Sequence, residues 1–107
     1  MKYYIAEIEE ASGEREHSSL IRIKSESLEI AQDTHTYWAS HWYSEDEFEP
    51  CIPDETDTYY YCCDEVAVKE GWLREISEST YNELTGIIVD MTLTEVTLWT
   101  WRSQNDR

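Results

Sequence analysis

The stretch that decides the fold is residues 2–24, KYYIAEIEEASGEREHSSLIRIK. Apolar side chains recur there at every second position, first before and then after the turn residues Ser12-Gly13-Glu14. The alternating apolar residues are Tyr4, Ala6, Ile8, Ile21 and Ile23. A period of two is typical of a strand with one buried face, and Gly favours a turn between two such strands. The stretch therefore predicts an opening β-hairpin.

A helix is predicted directly after this hairpin, from about Leu28 to Trp42. Ser27 suits the N-cap position, and Glu29 lies in the first turn, where a carboxylate interacts favourably with the helix dipole. The apolar stripe of this helix consists of Ala31, Thr34, Trp38 and Trp42.

The second half of the chain repeats the order of hairpin and helix. Residues 58–63 predict a strand, and a longer return strand follows, with Val66, Val68, Trp72 and Ile76 on one face. Residues 77–84 predict a short helix that ends before Gly86. Residues 87–93 alternate again, and a phase slip near Thr94-Glu95 predicts a bulge or a tight hairpin between strands.

The order of these elements is ββα-ββα-β(β). Hairpins followed by helices predict an α+β fold in which helices pack on an antiparallel sheet. A chain of 107 residues is most simply one domain, here residues 1–107. We therefore expect a single α+β domain with an antiparallel sheet of about five or six strands and two helices on one face.

The charge of the chain is regional. The formal net charge is -16, and the run from Ser25 to Val68 holds twelve carboxylates but no Lys or Arg. Self-repulsion of this size costs stability, so the charge favours a basic protein partner. The same charge opposes direct contact with nucleic acid or with an anionic membrane surface.

An acidic loop is predicted at residues 43–57, where the periodicity disappears and Pro50 and Pro53 interrupt the chain. Aromatic residues accompany its carboxylates, and such rings are favoured at protein interfaces. We predict that seven carboxylates of this loop bind the partner and that Tyr43 and Phe48 are aromatic anchors beside them. The seven are Glu45, Asp46, Glu47, Glu49, Asp54, Glu55 and Asp57.

In its size, its net charge and the runs at residues 45–49 and 54–57, the chain resembles the small acidic nucleic-acid mimics of phages and mobile elements. Proteins of that class block restriction or CRISPR enzymes. The resemblance implies an inhibitor that occupies the basic nucleic-acid-binding surface of a host defence complex. A second hypothesis is an acidic binding or immunity module that neutralises a basic partner protein, such as a toxin nuclease, away from its nucleic-acid channel. The resemblance transfers no residue roles, because such proteins have unrelated folds.

No catalytic or cofactor motif is present. The donors suited to zinc are His35, His41, Cys51, Cys62 and Cys63, but they form neither C-x-x-C nor H-x-x-x-H. The loop also lacks the order of ligands found in a calcium-binding hand. Dense carboxylates raise the pKa of a thiol, the opposite of what a reactive thiolate needs. We expect no metal, no cofactor and no enzymatic activity.

The start of the chain becomes acidic at Glu7, before any apolar stretch suited to a signal peptide, and no apolar run has membrane-spanning length. Three cysteines, two of them adjacent, disfavour a disulfide framework. We expect a cytoplasmic protein, in the host cytoplasm if a phage encodes it. The oligomeric state is left open.

Overall fold

Two long antiparallel strands form the centre of the sheet in the computed structural model, which describes residues 1–42, 58–61 and 66–104. Strands β1 (Lys2–Ser12) and β2 (Arg15–Ser25) pair over their full length, from Lys2 opposite Ser25 to Ser12 opposite Arg15. Gly13 has a φ of 63° in the turn that joins them, a conformation that glycine adopts without strain. The predicted opening hairpin is confirmed.

Helix α1 (Leu28–Ser40) packs on the face of the sheet that carries Tyr4 and Ile8. The side chain of Ser27 accepts a hydrogen bond from the backbone N–H of Ile30, as predicted for an N-cap. The helix ends two residues before the predicted limit at Trp42. We call this side of the sheet the core face. Its buried apolar residues are Tyr4, Ala6, Ile8, Ile21, Ile23, Ala31, Ala39 and Val68.

Strands β3 (Thr58–Tyr61) and β4 (Val66–Ile76) form the second antiparallel pair, and β4 also pairs with β1. The register of β4 on β1 shifts between Ala6 and Ile8, so that Gly71 and Trp72 both oppose Glu7. This bulge reverses the faces of the residues that follow it. Val68 therefore faces the core while Trp72 lies on the other side, and the prediction that they share a face is wrong.

Helix α2 (Glu78–Glu83) packs on the side of the sheet opposite to α1. The ring of its Tyr81 contacts Tyr3 and Arg22, and both residues alternate with core residues in their strands. The prediction of two helices on one face is therefore wrong. The physical reason is that this end of the second face carries the large side chains of Tyr3 and Arg22, and Tyr81 of α2 packs against both.

The C-terminal segment differs most from the prediction. Strand β5 (Val89–Asp90) pairs with β2 in parallel, so the sheet is mixed, with the order β3-β4-β1-β2-β5. The phase slip at Thr94-Glu95 is the start of helix α3 (Glu95–Gln104) and neither a bulge nor a hairpin. The Thr94 hydroxyl accepts a hydrogen bond from the N–H of Thr97, as an N-cap does. The α+β class is confirmed, with five strands and three helices in the part described.

Candidate partner-binding face

Among the described residues, only α2 packs on the second side of the sheet, and it does so at one end. Register places Glu7 opposite Leu20 and Glu9 opposite Ser18, and all four residues point away from the core face. Helix α2 packs at the other end, through Tyr81 against Tyr3 and Arg22. We call the part beyond that contact the open face. Its residues include Glu7, Glu9, Ala11, Glu16, Leu20 and Trp72.

The open face contains a hollow of about 340 Å³. Ala11 lies between Ala67 on β4 and Glu16 on β2 in the register of the sheet. Two alanines side by side leave room that longer side chains would fill. The residues of the open face that line the hollow include Glu9, Ala11, Glu16, Ser18, Ala67 and Lys69, and Glu10, His17 and Thr58 also border it.

Two exposed carboxylates border the hollow, and a third, that of the buried Glu10, contacts His17. Glu9 and Glu16 are exposed and are diagonal neighbours across β1 and β2, where such positions are about 7–8 Å apart. Within the described ranges, no Lys or Arg nitrogen lies within 4.0 Å of either carboxylate. Neither carboxylate therefore forms an ion pair among the described residues, although Lys69 lies opposite Glu9 on β4.

Trp72 adds an aromatic surface to the open face. Its side chain is 40% exposed, and the guanidinium carbon of Arg74 lies 5.4 Å from its ring centroid. A Cβ on Gly71 would lie 2.8 Å from Cβ of Glu7, so glycine is needed where β4 bulges over β1. The sequence interpretation placed Trp72 with the core residues Val66 and Val68. A glycine inside a strand was the available signal of a bulge.

Arg22 secures the covered end of the same face. It is 6% exposed, and it donates hydrogen bonds of 2.8 Å to the Ile88 carbonyl and 2.9 Å to the Tyr81 carbonyl. Its guanidinium also stacks 4.4 Å from the Tyr81 ring centroid. This cation holds α2 and the start of β5 on the sheet.

The Tyr81 hydroxyl donates a hydrogen bond to Asp90, which also accepts the N–H of Thr92 at 3.0 Å. Burial, together with the Asp90 hydrogen bond, raises the pKa of Tyr81 to about 12. Burial opposes ionisation of Asp90, but the hydrogen bonds from Thr92 and Tyr81 and the charge of Arg22 hold its pKa below the usual value. Ionised Asp90 thus keeps Tyr81 protonated.

A second arginine is also occupied by the fold. Arg102 on α3 donates to the buried Asp33 on α1 at 2.6 Å and lies 3.5 Å from Glu29. Arg22 therefore serves internal contacts, whereas Arg102 pairs with the buried Asp33 and with the exposed Glu29. Several exposed carboxylates have no Lys or Arg partner in the described part of the chain, namely Glu9, Glu14, Glu16, Glu26, Glu75 and Glu83.

The nine residues predicted to bind the partner all fall in the 43–57 loop, outside the described residues. Cys51, Cys62 and Cys63 also lie outside the described residues. The two other residues considered for zinc have structural contacts: Nε2 of the buried His35 lies 2.7 Å from the Glu7 carbonyl oxygen, and His41 stacks on Tyr37 at 4.2 Å. No group of three metal-ligating side chains occurs among the described residues.

The arrangement on the open face can bind a ligand but shows no group poised for covalent chemistry in the described ranges. None of the described helices has the length and apolar character needed to cross a membrane. Comparison with models of protein families, with curated proteins and with solved structures found no match for this chain.

Proposed function

We propose that this chain is an acidic nucleic-acid mimic, a binding protein and not an enzyme. It acts in the cytoplasm by occupying the basic nucleic-acid-binding surface of a host defence complex, a CRISPR effector or a restriction enzyme. The observation that carries the proposal is the excess of exposed carboxylates without an ion pair. Exposed carboxylates such as Glu14 and Glu26 form no described ion pair, while Arg22 is buried and Arg102 pairs with Asp33 and Glu29.

The amount of charge fits such a surface. Of the twelve carboxylates from Ser25 to Val68, Asp33 is buried and both Asp33 and Glu29 pair with Arg102. Duplex DNA carries one negative charge per about 1.7 Å of axis, so the other ten match the phosphates on roughly 17 Å of duplex. The longest dimension of the protein is 41 Å, enough to present that length. Charge complementarity of this kind gives fast, salt-sensitive association with a basic channel.

Competition with DNA tests the proposal. Each of a panel of purified CRISPR effectors and restriction enzymes is mixed with labelled duplex DNA, and the protein is added while bound DNA is followed by fluorescence anisotropy. We expect mutually exclusive binding to at least one of them. A variant in which Glu45, Asp46, Glu47 and Glu49 are replaced by Gln or Asn should lose this competition. A control with Glu75, Glu78 and Glu83 replaced by Gln should retain it.

A specific observation supports the second hypothesis, the binding or immunity module. The hollow is concave and has one small floor, a geometry suited to one side chain of a specific partner and not to a uniform row of cations. Such a module leaves the nucleic-acid channel of its partner free. A ternary complex of the protein, its partner and DNA would therefore replace the mimicry proposal with this one.

A further inference from the structure

The hollow on the open face combines an apolar floor with a charged border. Ala11 and Ala67 form the floor, and the carboxylates of Glu9 on β1 and Glu16 on β2 border it. An arginine side chain matches both parts of the hollow, because its stem is aliphatic and its end is a planar cation. The stem would lie on the two alanines and the cation at the two carboxylates.

The pair of carboxylates on two strands favours a guanidinium group. Diagonal backbone positions are about 7–8 Å apart, within reach of long side chains, so both carboxylates can approach one bound cation. A guanidinium presents five N–H donors in a rigid fork and can bridge two acceptors. Lys69 lies on β4, on the other side of Glu9, so a bound cation is directed towards β2 and Glu16.

The size of the hollow limits the occupant. Pockets for small molecules typically measure about 300–1,000 Å³, and this one is at the lower end of that range. The carboxylates oppose a phosphate or another anion. We propose that the hollow binds the side chain of one arginine of the basic partner, an inference that rests on the basic partner common to both proposed functions and identifies one specific contact with it.

Methyl NMR tests this assignment without the partner. Protein with ¹³C-labelled alanine methyl groups is titrated at constant ionic strength with N-acetyl-arginine N-methylamide. We expect saturable shifts of the Ala11 and Ala67 methyl signals. The citrulline analogue, which has nearly the same shape but no charge, should leave both signals in place. The lysine analogue should bind several-fold more weakly than the arginine analogue.

Two variants locate the binding. E9Q/E16Q should weaken arginine binding about tenfold, a loss of about 1.4 kcal/mol. The matched control E26Q/E83Q, which removes two exposed carboxylates elsewhere, should leave the affinity unchanged. A67L fills the floor while keeping both carboxylates, and it should abolish the shift of the Ala11 methyl signal.

Several results would overturn the assignment. They are unmoved methyl signals, citrulline binding equal to arginine, lysine binding as tight as arginine, or equal losses in E9Q/E16Q and E26Q/E83Q. Because the titration contains no partner protein, it can fail while the DNA competition succeeds, and it can succeed while that competition fails. The two proposals are therefore tested separately.

Discussion

The two ends of the second sheet face differ in the burial and hydrogen bonding of their charged side chains. At the covered end, Arg22 is buried under α2, and its hydrogen bonds go to carbonyl groups that would otherwise lack a donor. At the open end, Glu9 and Glu16 are exposed and form no ion pair with Lys or Arg in the described part of the chain, although Lys69 lies opposite Glu9 on β4. The comparison shows that burial with full hydrogen bonding marks a charge that serves the fold, whereas exposure without a partner leaves a charge available for binding.

The largest expected effect is at the covered end. R22M should destabilise the protein by about 2–4 kcal/mol, because it leaves the buried carbonyls of Ile88 and Tyr81 without donors, and each unsatisfied group costs about 1–3 kcal/mol. Urea unfolding followed by Trp fluorescence measures this loss. The control R15M, in the exposed hairpin, should change stability by less than about 0.5 kcal/mol. Equal losses in the two variants would remove the distinction between the ends.

The next largest effect on stability is expected at the bulge at Gly71, beyond which Trp72 lies on the open face. G71A should cost about 1–3 kcal/mol, because the new Cβ would overlap the Glu7 side chain. E7G removes that side chain, so the double variant E7G/G71A should be more stable than the sum of the two single losses predicts. Strict additivity of the measured free energies of unfolding would contradict the contact.

The Tyr81–Asp90 pair predicts a pH dependence at the covered end. The folded pKa of Tyr81, about 12, exceeds the usual 10, so its contribution to stability is complete below pH 10 and disappears as the pH rises through about 12. The Tm should fall over this interval, and it should fall less steeply in Y81F. An equal slope in Y81F and wild type would show that other tyrosines control alkaline unfolding.

The smallest effect is at the open end. E9Q/E16Q should change the free energy of unfolding by no more than about 0.5 kcal/mol, and in the stabilising direction, because it removes like charges that do not serve the fold. Added salt at pH 7 should raise the wild-type Tm by screening the same repulsion. Thermal unfolding at several salt concentrations provides the measurement. A marked destabilisation of E9Q/E16Q would show that these carboxylates have structural roles.

The candidate site was only partly open to prediction from sequence. Regional acidity is visible directly in the chain, and the nine residues it singled out stay a prediction. The hollow was not visible, because it depends on Ala11 lying beside Ala67, fifty-six positions away. Trp72 was assigned to the wrong face because alternation was continued through Gly71, where the bulge interrupts it.

The sequence by itself determined the local elements. Period-two alternation specified the β1–β2 hairpin, Ser27 at the N-cap specified where α1 begins, and residues 77–84 specified the short helix α2. Only the tertiary structure decided what covers each face, that β5 joins β2 in parallel, and that the last segment is helical. The physical reason is that periodicity records which side chains share a face, whereas the cover of that face depends on contacts between distant residues, such as Arg22 with the Ile88 carbonyl and Arg102 with Asp33.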